Sequence, residues 1–299
     1  MRDGTGAEET TKARPRLSVV VAGDGYRLTY PVWEGAAWHA TVVLVHGVMS
    51  HSGWLRSMAE SLASRDYKVI GAERRGSGLN RRARGDAPSR DMLVRDLWRI
   101  VDQEHDRERP LFLVGWCWGA VLALAASVDA ADRLEGLILL APGLFPSRQI
   151  TETLVAQRQA VEHEPVDRPC LACPIREEMF TRGVCLEQFI LADDARIRFV
   201  TRRFDGIMQD MGKAAALQLF RVTQPLLVIL AAKDLAVDND RTLNAFARVT
   251  RAQVTTSRLD CHHGMQFEAP AELVGEIVPW LEHHRGTAGG SVQALAHGY

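Results

Sequence analysis

No stretch of this 299-residue chain is apolar for the ~20 residues that a membrane-spanning helix needs. The chain also lacks a dominant charge. Its 36 lysines and arginines against 37 aspartates and glutamates leave a formal net charge of -1. That balance, with no nucleic-acid motif present, argues against a polyanion as partner. The opening segment MRDGTGAEETTKARPR has no apolar h-region, so it does not read as a secretory signal. The five cysteines are odd in number and unevenly spaced. Without an export signal they point to a reducing cytoplasm and not to a disulfide framework. Internal repeats are absent. What is present is ordinary for a globular enzyme: 46% hydrophobic and 24% charged residues, in a chain long enough for one large α/β domain with an insertion.

Apolar patterning alternates between strand and helix. Residues 17–22 and 26–32 predict an opening hairpin around Gly23-Asp24-Gly25. The run TVVLV at 41–45 predicts a strand buried on both faces. Further strands are expected at 67–72, 111–115, 134–140, 225–231 and 253–259, with helices at 54–65, 89–105, 119–128, 240–249 and 271–284. Repeated β-α units of this kind mean a mostly parallel sheet covered on both sides. The alternation breaks between Gly143 and Gln224. There the pattern is helical, at 150–161, 176–180, 186–190, 195–205 and 212–220. A structureless loop of that length does not fit a compact domain, so residues 144–223 are expected to form a helical cap. The cap should sit over the C-terminal ends of the strands, where open α/β sheets bind ligands. The core is then 17–143 and 224–285, between a flexible leader (1–16) and a flexible tail (286–299).

The strongest chemical signal is Gly115-Trp116-Cys117-Trp118-Gly119, directly after the strand LFLV and directly before the helix AVLALAAS. A sharp strand-to-helix turn strains the middle residue, and glycines flank it because larger side chains would clash. The helix that follows turns its N-terminal N–H groups and dipole toward developing negative charge. The pattern G-x-C-x-G in this context resembles the nucleophile elbow of the α/β-hydrolases, with cysteine where serine is usual.

Three further segments resemble the same family, in the same order. Val45-His46-Gly47-Val48 looks like its oxyanion loop. Ala231-Ala232-Lys233-Asp234, closing the run PLLVILA, looks like the loop of the triad acid. Asp260-Cys261-His262-His263, followed by Glu268-Ala269-Pro270, looks like the histidine loop. HGVMSHSGW and YKVIGAERRGSG are most similar to the monoacylglycerol-lipase and S33-aminopeptidase branch, apart from Glu73, which stands where that branch usually has aspartate. The resemblance covers residues 17–285 except the cap.

It implies Cys117 as nucleophile, His263 as base and Asp234 as its orienting acid. Backbone N–H groups of Val48 and Trp118 would form the oxyanion hole. Trp116, His51 and Met49 are candidate substrate contacts. Each position has a competitor. Cysteine is most often a small buried hydrophobe. His262 competes with His263, although in the resembling family a glutamate often follows the base by five residues, as Glu268 follows His263. Asp238 competes with Asp234 but fits a helix cap better. His46 reads as a packing residue.

His163, Cys170, Cys173 and Cys185 form a series within the cap that matches no standard zinc spacing, so no metal and no cofactor is expected. Arg74, Arg75, Arg81, Arg82, Arg84 and Arg90 crowd one loop. If exposed they would attract an anionic substrate, a phosphopantetheine arm or an acidic carrier protein.

The expected reaction is ping-pong acyl transfer through an acyl-thioester on Cys117, with a small-molecule acyl donor and acceptor. Thioesters are attacked readily by amines and thiols, so the cysteine favours an acyltransferase or thioesterase of small-molecule biosynthesis. Families that resemble this chain in using G-x-C-x-G include aminoacyl shuttles between carrier proteins, polyester synthases and dienelactone hydrolases. Length and the cap argue against a close match to the polyester synthases. Two alternatives stand beside this reading: a carboxylester or lipid hydrolase in which cysteine merely replaces serine, and a noncatalytic binding module on a hydrolase scaffold.

Overall fold

The structure, a computed structural model, describes residues 14–128 and 130–286. The expected leader up to residue 13 and the expected tail from residue 287 lie outside the described residues. The elements run in chain order as β1 (Arg16–Val21), β2 (Arg27–Glu34), β3 (Ala40–Val45), α1 (Arg56–Ala63), β4 (Tyr67–Ala72), α2 (Arg90–Glu104), β5 (Leu111–Trp116), α3 (Trp118–Ser127) and β6 (Gly136–Leu140). There follow α4 (Arg148–Ala160), β7 (Pro169–Ala172), α5 (Glu177–Phe180), α6 (Val184–Ala192), β8 (Phe199–Thr201) and α7 (Arg202–Gln218). The chain closes with β9 (Leu226–Ala231), α8 (Asn239–Phe246), β10 (Val254–Leu259), α9 (Met265–Glu268) and α10 (Pro270–His284).

Eight strands form one sheet in the order β1-β2-β4-β3-β5-β6-β9-β10. Only β1–β2 and β2–β4 pair antiparallel; β4–β3–β5–β6–β9–β10 are parallel. This is the α/β-hydrolase fold. The continuous apolar runs are buried along their whole length in β3, β4, β5, β6 and β9, as strands covered on both faces must be. Among the described residues no helix is long and apolar enough to cross a membrane.

The segment between β6 and β9 departs from the all-helical expectation. β7 and β8 pair antiparallel as a separate two-stranded sheet. Helices expected at 195–205 and 212–220 are replaced by β8 and one continuous helix, α7. Thr201 caps α7 by accepting from the Phe204 N–H at 3.0 Å, and the helix runs on through Gly206 and Gly212. Neither glycine has a neighbour within 4 Å of its would-be Cβ, so solvent-side glycines interrupted the periodic signal without breaking the helix. The segment is also fastened to the core. The Thr201 N–H donates to Gly85 O at 3.0 Å, the Thr201 hydroxyl to Asp86 Oδ1 at 2.6 Å, and Arg203 pairs with Asp86. The Ile197 N–H donates to Met49 O at 2.8 Å.

α3 is buried on every side, which explains its run of alanines. Its first turn presses on β3: a Cβ at Gly119 would lie 2.1 Å from Val45 O, a backbone atom that cannot step aside. Gly119→Ala is therefore expected to destabilise the protein by about 3 kcal/mol, the upper end for overpacking. Gly275→Ala, on the open face of α10 with no neighbour within 4 Å, should stabilise it by about 0.5–1 kcal/mol through helix propensity. Urea unfolding of the two variants checks both signs.

Candidate active site

Cys117 stands at the junction of β5 and α3 with φ 56° and ψ -124°, a left-handed value rare for a residue with a side chain. The turn is fixed on both sides of the peptide. Its N–H donates to Leu140 O at 2.9 Å, and its carbonyl accepts from Gly143 N at 2.9 Å and Ala120 N at 3.1 Å. Close approach also demands Gly115, whose Cβ would fall 2.5 Å from the Ala120 Cα. The sulfur is left on the floor of a cleft, with 6% of the residue exposed.

His263 and Asp234 meet behind it. Nδ1 of His263 lies 2.8 Å from Asp234 Oδ2, and both side chains are fully buried. The other carboxylate oxygen of Asp234 accepts from Ala236 N at 2.8 Å and Val237 N at 3.0 Å, so its orientation is set by backbone just past β9. Because the carboxylate only accepts here, Nδ1 carries the proton and Nε2 is the free end of the ring. Nε2 is buried without a well-formed hydrogen bond. Burial disfavours the charged imidazole, but the charges of Asp234 and of a Cys117 thiolate outweigh it, and His263 titrates well above the usual imidazole range. Asp238 instead caps α8, accepting from Arg241 N at 3.0 Å. His262 is committed elsewhere: its Nδ1 lies 2.9 Å from Glu268 Oε2. That carboxylate also accepts from the His262 N–H at 2.7 Å and the Arg182 N–H at 2.9 Å. Glu268 thus holds the loop beside His263 and does not touch His263 itself. The loop is further pinned by α5, where Met179 O and Phe180 O accept from His263 N (3.2 Å) and Gly264 N (3.0 Å).

Val48 and Trp118 both line the cleft beside Cys117. Trp118 is the first residue of α3, so its N–H has no partner within the helix. The Val48 N–H makes no other hydrogen bond among the described residues.

The three expected substrate contacts lie elsewhere. Trp116 is 1% exposed and packs beneath the site: its ring is 5.6 Å from that of His263 and its Nε1 donates to His263 O at 3.1 Å. Successive residues of β5 face opposite ways, so Trp116 points under the sheet end that Cys117 tops. Met49 is buried as well, its carbonyl taken by Ile197. His51 Nε2 lies 2.9 Å from Asp193 Oδ2, which also accepts from Trp54 Nε1 at 2.6 Å. None of the three lines the main cleft.

That cleft, of about 150 Å³, is walled by apolar side chains of the inserted segment and the β6 and β9 loops: Ile150, Leu154, Ile175, Val200, Met208 and Val237. Two features were not foreseen. Cys173 faces the same space, with burial pushing its thiol up to about 12. A charged patch on one wall joins α4 to α7: Arg158 grips Asp205 with two bonds of 2.8 and 2.9 Å, and Gln209 donates to Asp205 at 3.0 Å. No motif marks these residues; they depend on how the insertion packs.

The arginine loop is not one exposed patch. Arg74 and Arg75 are buried, Arg75 between Asp96 and Asp24. Arg84 donates to Asp194 O and Arg196 O, which leaves Arg81 and Arg82 as the exposed members. The cap cysteines do not converge either: among the described residues no group of three or more His, Cys, Asp or Glu could hold a metal.

The fold is that of the α/β hydrolases. The chain belongs to the serine aminopeptidase S33 family, whose model matches residues 36–270. It is 26% identical to a monoglyceride lipase of Rattus norvegicus over 46% of this chain and 46% of that protein. To a monoglyceride lipase of Homo sapiens it is 22% identical over 91% and 92%. The chain spans less than half of the first curated relatives it matches: 46% of the rat lipase and 12% of an uncharacterised abhydrolase domain-containing protein of Dictyostelium discoideum. In fold it is similar to a soluble variant of monoglyceride lipase from Saccharomyces cerevisiae, with a TM-score of 0.77, 15% identity, and 93% and 98% of the two chains covered.

The Asp234 contact makes a prediction. In Asp234→Asn the largest favourable charge beside His263 is gone while burial remains. The imidazole should therefore release its proton at a lower pH than in the wild type, as read by an NMR titration of labelled histidine. An unchanged midpoint would mean that Asp234 does not set the charge state of the ring.

Proposed function

We propose that this chain is an acyl hydrolase of the esterase and lipase type, working through a Cys117–His263–Asp234 triad. The observation that carries the reading is the left-handed elbow that holds Cys117 at the floor of an apolar cleft, beside an imidazole already paired with a buried carboxylate. In the proposed cycle the Cys117 proton resides on His263, in keeping with the upward shift of that imidazole. The thiolate attacks the carbonyl carbon of an ester or thioester. The N–H groups of Val48 and Trp118 receive the oxyanion. As the tetrahedral adduct collapses, the leaving group departs with the His263 proton and the acyl group remains on sulfur as a thioester. Water, deprotonated by His263, attacks that thioester; the adduct collapses, the carboxylic acid leaves, and Cys117 returns as thiolate beside the protonated His263.

Hydrolysis is placed ahead of transfer because the named relatives are lipases and because the cleft walls are mostly apolar, suited to a hydrocarbon acyl group. Acyl transfer remains the second reading, favoured by the cysteine itself, whose thioester passes its acyl group readily to an amine or thiol. A carrier protein as donor would have only Arg81 and Arg82 of the arginine loop to dock on. A cytoplasmic setting accompanies both, in keeping with five unpaired cysteines.

Intact-protein mass spectrometry with a panel of acyl esters and acyl-thioesters tests the proposal. A wild-type adduct is expected that Cys117→Ala does not form, with turnover reduced by about 10⁴-fold or more in the variant. Adduct decay in buffer, unaccelerated by amines or thiols, marks a hydrolase. Decay that requires an amine or thiol marks a transferase. Turnover by Cys117→Ala at the wild-type rate would remove the triad reading altogether.

A further inference from the structure

The mechanism leaves one buried cation unused. Arg74 follows β4 directly and is 7% exposed. Its neighbour Arg75 is neutralised by two carboxylates, Asp96 and Asp24. Arg74 forms no ion pair among the described residues, although the buried carboxylate of its neighbour Glu73 acts on it from a distance. Its guanidinium donates instead to Gly47 O at 3.3 Å, Val48 O at 2.8 Å and Ser77 Oγ at 3.0 Å. It packs against two aromatic rings that themselves meet edge to face, 5.3 Å from the centre of Trp118 and 5.2 Å from that of Phe204 on α7.

We propose that Arg74 is a positioning residue for the oxyanion site, holding the Gly47–Val48 peptide so that the Val48 N–H faces the reacting carbonyl. The inference rests on the triad reading above. Its geometry is that of the peptide bond. The Gly47 carbonyl and the Val48 N–H belong to one planar trans unit and point in opposite directions, so whatever grips the oxygen aims the hydrogen. Two donors grip that oxygen: Arg74 Nη1, and His46 Nδ1 at 2.8 Å. A second grip on Val48 O fixes the next peptide, leaving little freedom for the loop to turn.

The loop needs such a hold. Gly47 has no side chain of its own, and a Cβ there would lie 3.2 Å from Cys117 Cβ, so it packs directly on the nucleophile. The second proposed donor, Trp118, carries the ring stacked on the same guanidinium. One cation therefore references both donor residues to each other, with Phe204 packed against both the cation and the Trp118 ring. An arginine that served only the fold would ordinarily be paired with a carboxylate, because an unpaired buried charge is costly. Burial lowers Arg74 to about 10, so the group stays charged at neutral pH in water-poor surroundings. Its positive charge behind the peptide adds to the N–H dipole that an oxyanion would meet.

The experiment compares two reactions of Cys117. Acylation by an activated acyl-thioester passes through an oxyanion; alkylation by iodoacetamide does not. In Arg74→Met the acylation rate constant should fall about 10- to 100-fold, the scale of a misplaced oxyanion donor, while alkylation stays within about threefold of wild type. Arg74→Lys keeps the charge without the fork, and should fall between the two. Wild-type acylation in Arg74→Met would overturn the inference. So would an equal fall in acylation and alkylation in both variants, which marks general damage to the elbow. Cys117→Ala run alongside separates the two claims: if it is acylated like wild type, the triad reading fails whatever Arg74 does.

Discussion

The backbone at Cys117 is the constraint on which the rest of the site depends. A side-chain-bearing residue in left-handed conformation costs about 1–3 kcal/mol and persists only where its surroundings over-determine it. Here they do: β6 and the Gly143 turn hold the peptide on one side, and α3 begins at once on the other. From this turn follow the direction of α3, the exposure of the Trp118 N–H, and the need for bare glycines at 115 and 119. The loop carrying Gly47 and Val48 can reach the sulfur only because α3 is seated this tightly on β3.

Much of this was legible in the sequence. The buried parallel strands announced themselves as unbroken apolar runs, since a strand covered on both faces has no polar side to display. The elbow was legible because its geometry tolerates few residue types, and the order of Cys117, Asp234 and His263 followed from it. Of the two histidines the sequence offers, His263 pairs with Asp234, while Glu268 binds His262 and steadies the loop. The inserted segment was far less legible. β7 pairs with β8 across an intervening helical stretch, and such a non-local pairing leaves no periodic trace in three- and four-residue strands. Gly206 and Gly212 disguised the continuity of α7. The expected substrate contacts at Trp116, His51 and Met49 were misplaced because closeness in sequence to the nucleophile does not decide which face of the sheet a side chain occupies.

The interior around Cys117 and His263 is buried, and charge in it is arranged by pairing. Asp234 is bonded to two backbone donors and His263, and Asp205 to Arg158 and Gln209. Arg74 stands apart as a cation whose direct hydrogen bonds go to carbonyls and a hydroxyl, with the buried carboxylate of its neighbour Glu73 acting on it without a direct contact.

The fastening of β8 and α7 to the loop after β4 has a kinetic consequence. Thr201, Arg203 and Ile197 tie this segment to Gly85, Asp86 and Met49, and α5 is tied to the His263 loop. A cover anchored at so many points cannot swing open as a rigid lid about its two chain connections. Passage of small molecules to the cleft would then depend on side-chain and helix-scale displacements. Such motions belong to the nanosecond-to-microsecond range, in contrast to slower domain reorientation. An enzyme built this way would trade the breadth of a hinged opening for rapid exchange of slender molecules.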